Sequence, residues 1–485
     1  MFETAELGRR LNKAEFESKL PALRSQLLDA QFKMRGRKSS VIVIVSGADG
    51  AGKSELVQRL NEWLDPRGVE THAFWDESDE ERERPPYWRF WRAMPARGRI
   101  GIFFGSWFTA PIIQRVRGKI KRRQFEAELE RIVAFEKMLA VDGVLILKFW
   151  LHLSRKEQRR ALERLEEKNR ATPTDWKHFR LYKKFRLVSD QAVCATNSRM
   201  APWHVIEATD RRYREFTVGS ILLKTLKENF QAKPTAKPAP PQKRRGKPAD
   251  SILDGVDLKQ KLTDKEYRQS LERLQARLGK LAWVAREKKR SLVMVFEGWD
   301  AAGKGSAIRR VTWAMDPRLY RVVGVAAPTD EERAHHYLWR FWRHMPRSGR
   351  MTIFDRSWYG RVLVERVEGF ARPQEWGRAY QEINEFEEQL TEGGNIVAKF
   401  WVHIGADEQL RRFKERQTIA HKQYKITEED WRNREKWDDY KLAVDEMVAR
   451  CSPPTAPWTL VAGNDKKFAR IQILKTIVER LEASL

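Results

Sequence analysis

Ser291-Leu-Val-Met-Val-Phe-Glu-Gly298-Trp-Asp300-Ala-Ala-Gly303-Lys304-Gly305-Ser306 decides the fold of this chain. An apolar run leads into a glycine-rich turn ending in Gly-Lys, and a helical pattern follows from Ile308 to Met315. This strand–loop–helix context is typical of a phosphate-binding loop. Glycines let successive backbone N–H groups converge on phosphate oxygens, and the helix N-terminus adds a favourable partial charge. The residues expected to bind phosphate are Gly298, Gly303, Lys304, Gly305 and Ser306.

The chain carries the same pattern twice. An earlier loop reads Gly47-Ala-Asp49-Gly-Ala-Gly52-Lys53-Ser54, and later landmarks keep the register between the copies. Trp88-Arg-Phe-Trp91 matches Trp339-Arg-Phe-Trp342, and Lys148-Phe-Trp150 matches Lys399-Phe-Trp401. A single self-match over the length of a domain predicts a duplicated domain, because solenoid repeats run to only about 20–50 residues.

A stretch rich in Pro, Lys and Ala separates the copies. It has no large apolar residue, which is typical of an extended, solvated tether. The predicted organisation is one domain at 1–231, a linker at 232–250 and a second domain at 251–485.

Short apolar runs alternate with helical patterns in both copies, which predicts an α/β fold with a parallel sheet covered on both faces. An amphipathic helix precedes each core, at Phe16–Arg37 and Tyr267–Lys289. The charged region from Asp407 to Met447 is predicted to be helical, as a mobile lid or as a solvated hairpin. The predicted strands are Val41–Val45, Val69–Phe74, Ile100–Phe104, Val144–Trp150 and Trp203–Ala208, then Ser291–Phe296, Arg321–Ala327, Met351–Phe354, Asn395–Val402 and Trp458–Ala462.

Composition favours a polyanionic partner. The formal net charge is +27, and nucleic acid, an anionic membrane, polyphosphate or a basic surface with no specific partner all fit it. Two cysteines support neither a disulfide framework nor a cysteine-based zinc site. The first residues do not resemble a signal peptide, and no apolar stretch is long enough to span a membrane, so we expect a cytoplasmic protein.

Metal binding in the second copy must rely on carboxylates. Gly305 follows Lys304 where a Ser or Thr would contact magnesium, which leaves Asp300 in the loop and Asp355 at a strand end as candidate ligands. Both are expected at the carboxyl edge of the sheet, where ligands bind in open α/β folds. As alternatives, Asp355 is a helix cap and Arg356 forms a surface ion pair.

Three motifs of the second copy together resemble the family-2 polyphosphate kinases. They are the phosphate loop, then Tyr337-Leu-Trp-Arg-Phe-Trp-Arg-His-Met-Pro346, and then Phe354-Asp-Arg-Ser-Trp-Tyr-Gly-Arg-Val-Leu-Val-Glu-Arg-Val-Glu-Gly369. The closing segment Ala456–Lys467 also matches. The resemblance covers nearly all of 255–485 and, more weakly, 10–230, as in the fused, two-domain members.

The resemblance implies magnesium-dependent phosphoryl transfer from inorganic polyphosphate to a nucleoside monophosphate, chiefly AMP to ADP, with Mn²⁺ as an alternative ion. It implies tandem P-loop kinase domains of three α/β/α layers around a five-stranded parallel sheet, thymidylate-kinase-like, each with a helical lid. Homo-oligomerisation is expected, as a dimer resembling a pseudo-tetramer. The catalytic positions are Asp300, Lys304, Asp355, Arg356, Arg412 and Arg416, with metal at Asp300 and Asp355 and the acceptor near Arg361, Glu365 and Arg366.

The sequence departs from the family in two places. Tyr424 stands where a tryptophan is expected, which leaves the lid contacts of Lys422 and Lys425 open. The first copy has Phe104 and Gly105 in place of Asp355 and Arg356. We therefore expect the first copy to be inactive, either as a packing partner or with residual phosphate binding at Lys53.

Three other functions compete with this interpretation. A polyphosphate-dependent nucleoside diphosphate kinase would convert ADP to ATP or run in reverse. An ATP-dependent kinase would place ATP on the loop. A nucleic-acid-binding protein would use the aromatic residues for stacking. Since Trp339, Trp342, Trp358 and Trp401 lie in periodic apolar segments, we expect them to be core or wall residues. We expect no nucleic acid and no membrane as partners.

Overall fold

The computed structural model describes residues 2–167, 169, 173–231, 251–419 and 428–485. The predicted linker at 232–250 and the lid residues Lys422, Tyr424 and Lys425 lie outside these described residues. Two compact units are formed by the described residues of 1–77, 89–235 and 329–336 and by those of 78–88, 236–328 and 337–485.

The N-terminal copy alternates strands and helices from its first helix onward. Its strands are β1 Ser40–Gly47, β2 Val69–Ala73, β3 Ile100–Phe104, β4 Val144–His152 and β5 Trp203–Glu207. Its helices are α1 Lys13–Met34, α2 Lys53–Trp63, α3 Asp79–Arg82, α4 Trp88–Arg92, α5 Thr109–Val116, α6 Arg122–Val141, α7 Arg155–Glu166, α8 Pro173–Arg180, α9 Tyr182–Thr196 and α10 Arg211–Gln231.

The C-terminal copy repeats this order of elements. Its strands are β6 Ser291–Gly298, β7 Tyr320–Gly324, β8 Met351–Asp355, β9 Asn395–His403 and β10 Trp458–Ala462. Its helices are α11 Asp264–Glu287, α12 Lys304–Trp313, α13 Asp330–Arg333, α14 Trp339–Trp342, α15 Val364–Val367, α16 Pro373–Glu392, α17 Ala406–Thr418, α18 Glu428–Glu435, α19 Trp437–Arg450 and α20 Lys466–Ser484. Single 3₁₀ turns lie at Phe2–Ala5, Pro66–Gly68, Ile252–Gly255, Pro317–Leu319 and Trp358–Arg361.

Each copy has one five-stranded sheet, in the order β2-β3-β1-β4-β5 in the first and β7-β8-β6-β9-β10 in the second. All strand pairs are parallel. The strand that leads into the glycine loop is central in both sheets, and burial on both faces explains its continuous apolar sequence. The predicted α/β class with two tandem parallel sheets is confirmed.

The register between the copies changes once. The residue numbers of equivalent positions differ by 251 as far as α7 and α17, which begin at Arg155 and Ala406. They differ by 255 from α8 and α18 onward, which begin at Pro173 and Glu428. The extra four residues of the C-terminal copy therefore fall between these helices. With the second displacement His178 corresponds to Asn433, which matters for the sites described below.

One buried ion pair recurs in both copies and connects the strand next to the central one to a helix. Lys399 in β9 donates to Glu387 of α16 over 2.6 Å and to the Cys451 carbonyl over 2.8 Å. Lys148 makes the matching bonds to Glu136, 2.6 Å, and to the Thr196 carbonyl, 2.8 Å. Both members of each buried pair are needed, because a buried charge without its partner is strongly destabilising.

The strand between Arg321 and Ala327 was the least well predicted. Strand β7 instead ends at Gly324, because it is an edge strand that pairs only with β8 over five residues. Among the described helices, none combines the length and apolar character that a membrane crossing needs.

Candidate active site

The glycine loop of the C-terminal copy lies at the carboxyl edge of its sheet. Strand β6 ends at Gly298, and α12 begins at Lys304 after Gly303, whose φ of 111° is left-handed. A Cβ on Gly298 would stand 2.5 Å from the Val402 carbonyl oxygen of the neighbouring strand β9. Only glycine allows this close approach, so the loop turns directly over the sheet.

Lys304 points back into the loop that precedes it. Its Nζ donates to the carbonyl oxygens of Gly298, 2.7 Å, and Trp299, 3.1 Å. Burial lowers the pKa of this ammonium group, while the nearby Asp300 opposes the shift. The lysine is therefore held at the loop by weak neutral acceptors, which an anionic phosphate can replace.

Asp300 is held from two sides. Arg356 Nη2 donates to its Oδ1 over 3.1 Å, and Asn433 Nδ2 donates to its Oδ2 over 2.9 Å. Arg356 follows β8 directly and has a φ of 65°, a left-handed conformation that is uncommon for a residue with a side chain. The ion pair joins Arg356, whose side chain is 43% exposed, to the aspartate of the loop.

Asp355 closes strand β8 beside the start of α12. Its partner across the ladder is Phe296 of β6, and its Oδ2 lies 3.9 Å from where a Cβ on Gly305 would stand. The alternative role as a helix cap belongs to Ser357, whose side chain accepts from Tyr359 N at the start of the 3₁₀ turn. The carboxylate of Asp355 therefore lies beside Gly305, in the first turn of α12.

Glu297 is a site residue that the sequence interpretation missed. It is buried at the end of β6 and accepts a hydrogen bond from Ser357 Oγ over 2.7 Å. Burial raises the pKa of its carboxyl, against the opposing effects of the Ser357 bond and of Lys304. Glu297 could have been predicted from the sequence, because it is an acidic residue at the end of an apolar strand just before the loop. Such a residue is seldom buried without partners.

Arg412 is not placed as the closing lid arginine that was predicted. All of its N–H groups are engaged: Nε with Glu408, Nη1 with the carbonyls of Ala301 and Ala302, and Nη2 with those of Gly463 and Asn464, at 2.5–3.0 Å. The side chain is buried, so it fixes the loop from behind and contacts no open space. Arg416, one turn further along α17, is half-buried and stays a predicted lid residue.

The three predicted acceptor residues follow β8, but the structure engages them with neighbouring side chains. Arg361 pairs with Glu365 over 3.0 Å and lies over the Tyr337 ring. Arg366 donates to Glu446, 2.8 Å, and to the Tyr380 hydroxyl, 2.7 Å. The adjoining cleft of about 580 Å³ is lined instead by loop, strand and helix residues that include Gly298, Asp300, Arg356, Gly360, Leu363, Val364, Asn433 and Tyr440.

The first turn of α19 packs on the glycine loop through two tryptophans. Trp299 stacks on Trp437 with ring centroids 3.7 Å apart and planes 7° from parallel. The Trp299 indole also donates to His403 Nδ1 over 3.0 Å. Burial lowers the pKa of His403 to about 4, which keeps the ring neutral and able to accept this bond.

The N-terminal copy retains the loop but not the groups around it. Lys53 donates to the carbonyls of Gly47, 2.8 Å, and Ala48, 3.1 Å, as Lys304 does in its own loop. Phe104 and Gly105 occupy the positions of Asp355 and Arg356. At these two positions the C-terminal copy has a carboxylate and a guanidinium, whereas the N-terminal copy has a phenyl ring and a glycine.

The comparisons with known proteins match the two copies separately. The family model described as polyphosphate kinase 2 matches residues 10–234 and again residues 261–485. The chain belongs to the polyphosphate kinase 2 family.

Full-length relatives share both copies. A polyphosphate:AMP phosphotransferase of Pseudomonas aeruginosa is 50% identical over 100% of this chain and 99% of its own length. A second, from Acinetobacter johnsonii, is 36% identical over 94% of this chain and 95% of its own length. A crystal structure of a polyphosphate kinase 2 from Pseudomonas aeruginosa superposes with a TM-score of 0.91 at 49% identity, covering 100% of this chain and 99% of that one.

Proposed function

We propose that this polyphosphate kinase 2 family member transfers the terminal phosphate of inorganic polyphosphate to AMP, forming ADP, at its C-terminal copy. The observation that carries the proposal is the group of Asp300, Lys304, Asp355 and Arg356 around one glycine loop, with two of the four missing from the other copy. Two full-length relatives that carry the name polyphosphate:AMP phosphotransferase support the choice of donor and acceptor.

The chemistry of phosphoryl transfer fits these residues. The transition state spreads negative charge over the equatorial oxygens, so positioning and cationic stabilisation supply most of the rate. Lys304, at the end of the loop, and Arg356, which is bonded to the Asp300 side chain, would bind the transferring group. The attacking oxygen of AMP is already anionic at neutral pH, so a strong general base is unnecessary, and Asp300 would act by orienting Arg356 and the metal.

The carboxylates fit a magnesium ion that is shared with substrate. Among the described residues no group of three or more His, Cys, Asp or Glu side chains is arranged to hold a metal alone. Mg²⁺ usually takes one or two carboxylates and completes its shell with water and phosphate oxygens. Asp300 and Asp355 would supply those carboxylates, and the ion would neutralise charge on the phosphates. Mn²⁺, which accepts the same oxygen ligands, is the alternative.

A nucleoside diphosphate acceptor is the second candidate. A GDP-polyphosphate phosphotransferase of Mycobacterium tuberculosis is 38% identical over 46% of this chain and 76% of its own length. The name of this relative specifies a nucleoside diphosphate, so the acceptor of this chain must be tested directly.

The test supplies AMP or ADP separately, each with polyphosphate and Mg²⁺, and follows ADP and ATP by chromatography. Rapid ADP formation from AMP is the expected result. Faster ATP formation from ADP would replace the acceptor assignment, and transfer from ATP but not from polyphosphate would overturn the donor assignment.

A homo-oligomer resembling a pseudo-tetramer, a cytoplasmic location and the absence of a nucleic-acid partner stay predictions. Light scattering of the purified chain measures the first. A filter-binding assay with single-stranded DNA measures the last, and saturable binding without phosphotransfer would favour the nucleic-acid alternative.

A further inference from the structure

The N-terminal copy contains a cleft of about 1000 Å³ above its glycine loop. The corresponding cleft of the C-terminal copy is smaller, at about 580 Å³. Much of the wall is aromatic, and it includes Phe74, Trp75, Phe104, Phe108, Trp150 and Phe185. The N-terminal copy lacks the counterparts of Asp355 and Arg356, but other side chains have not filled its cleft.

The floor of this cleft keeps the groups that bind a phosphate. Lys53 lies at the start of α2, and Gly50 and Gly52 keep left-handed φ values of 76° and 77°. Arg117 lies on the rim, with its Nη2 3.2 Å from His178 Nε2. His178 Nδ1 is in turn 2.9 Å from Asp49 Oδ2, which is the contact that Asn433 makes to Asp300 in the other copy. Two cations suit one phosphate group, which carries about two negative charges near neutral pH.

Gln158 supplies an independent sign of a ligand. Its side chain is 4% exposed and lines the cleft, and its Nε2 donates to the Asp49 carbonyl over 3.1 Å. Its Oε1 is buried and has no hydrogen-bond partner among the described residues. The equivalent oxygen of Gln409 accepts from Arg434 over 3.1 Å, and Phe179 stands in the place of Arg434. A buried acceptor left unpaired is costly, so a donor on a ligand would satisfy it.

We propose that this cleft binds a nucleoside monophosphate, without a metal ion and without transferring its phosphate. The base would lie among the aromatic side chains, the phosphate would meet Lys53 and the loop amides, and a hydroxyl or amino group would donate to Gln158. The aromatic wall argues against polyphosphate, which has no apolar part to bury. Phe104 replaces the carboxylate that would bind the metal, and Gly105 replaces the arginine that would bind the transferring phosphate. The site is therefore one for binding only.

Equilibrium dialysis of the full chain with radiolabelled AMP in EDTA tests the proposal. In the variant Ile113→Trp, a large side chain fills the cleft from α5, where Ile113 is part of the wall. The number of AMP molecules bound per chain should fall by one relative to the unchanged protein. An unchanged number would overturn the proposal, provided that the thermal midpoint shows the variant to be folded.

Two further variants keep the test decisive. Lys53→Ala removes a charged donor from a partly exposed position and should weaken the same site about tenfold or more. Val364→Trp makes the matched change in the C-terminal copy, where Val364 lines the smaller cleft, and should leave this site intact. AMP binding that Val364→Trp removes entirely, or that Lys53→Ala leaves at full affinity, would contradict the proposal. Because binding is counted without donor or metal, the result is separate from whether the C-terminal copy forms ADP.

Discussion

Arg356 reaches Asp300 over 3.1 Å from a backbone conformation with a φ of 65°. Left-handed backbone costs a residue with a side chain roughly 1–2 kcal/mol. Gly105, at the same place in the N-terminal copy, has a φ of 77° and avoids that cost. The C-terminal copy thus has an arginine at a position where glycine would be less strained. This indicates that the guanidinium of Arg356 has a function.

Arg356→Gly separates this role from folding. Loss of the cation should lower the rate of phosphoryl transfer by about 10²–10³, as removal of one transition-state donor does in other enzymes. The variant loses the stability of the ion pair, and glycine makes the unfolded chain more flexible, but the strained backbone is relieved. Because these effects on stability oppose one another, the thermal midpoint should stay close to that of the unchanged chain. Steady-state rates and calorimetry measure the two effects, and a collapse in stability with the rate retained would contradict this account.

Arg412→Gln should act through the loop it holds. Removing a buried guanidinium that donates to four backbone carbonyls leaves those acceptors unsatisfied and should destabilise the domain by about 2–4 kcal/mol. Chemical unfolding of the variant measures this loss.

Arg416→Gln is the matched control on the same helix. Since Arg416 is half-buried and predicted to act in the lid, its replacement should lower the transfer rate with little loss of stability. Equal losses of stability in both variants would show that the distinction between the two arginines is wrong.

Most of the fold could be predicted from the sequence, because the strands of both sheets are apolar runs. The strands Ile100–Phe104 and Trp458–Ala462 have the predicted bounds, and the other eight begin or end within a few residues of them. The edge strand β7 was overextended because apolar residues continue past Gly324, while pairing with β8 ends there. Strand length at an edge depends on the neighbouring strand, which periodicity does not reveal.

The candidate site was less predictable than the fold. A loop motif identifies Lys304 and Asp300, but it does not say that Asn433, far along the chain, completes the contacts of Asp300. Arg412 was misplaced because spacing puts two arginines on one helix without showing that one faces inward. The Trp299–Trp437 stack depends on how α19 begins against the loop, a tertiary relationship with no local signature.

Lys399→Met should destabilise the C-terminal copy because it leaves Glu387 buried without its cation. The expected cost is about 3–5 kcal/mol. The double variant Lys399→Met, Glu387→Gln should recover part of that loss, because the remaining buried group is then neutral. Chemical unfolding of the single and double variants measures both values, and a double variant no more stable than the single one would contradict an electrostatic cause.

The pKa of His403 near 4 predicts a pH-dependent stability. The unfolded chain would protonate this histidine near pH 6.5, whereas the folded protein resists protonation until about pH 4. Between these values the unfolded state binds more protons, so stability falls as the pH is lowered from 6.5 to 4.

His403→Gln retains an acceptor for the Trp299 indole without this titration. Its stability should fall less over the same pH range, by on the order of 3 kcal/mol. Chemical unfolding at pH 7 and pH 4.5 makes the comparison. Parallel losses in both proteins would show that His403 does not carry the effect.

The assignment of catalysis to the C-terminal copy is tested most directly by one pair of variants. Asp355→Asn removes a carboxylate beside the second loop, and Ser54→Ala removes the hydroxyl that follows the lysine of the first loop, where a conventional phosphate loop contacts magnesium. Initial rates of ADP formation from AMP and polyphosphate with Mg²⁺ are compared with those of the unchanged chain. We expect Asp355→Asn to lose activity at least about 100-fold and Ser54→Ala to retain it. The reverse pattern, or full activity in both variants, would contradict the account.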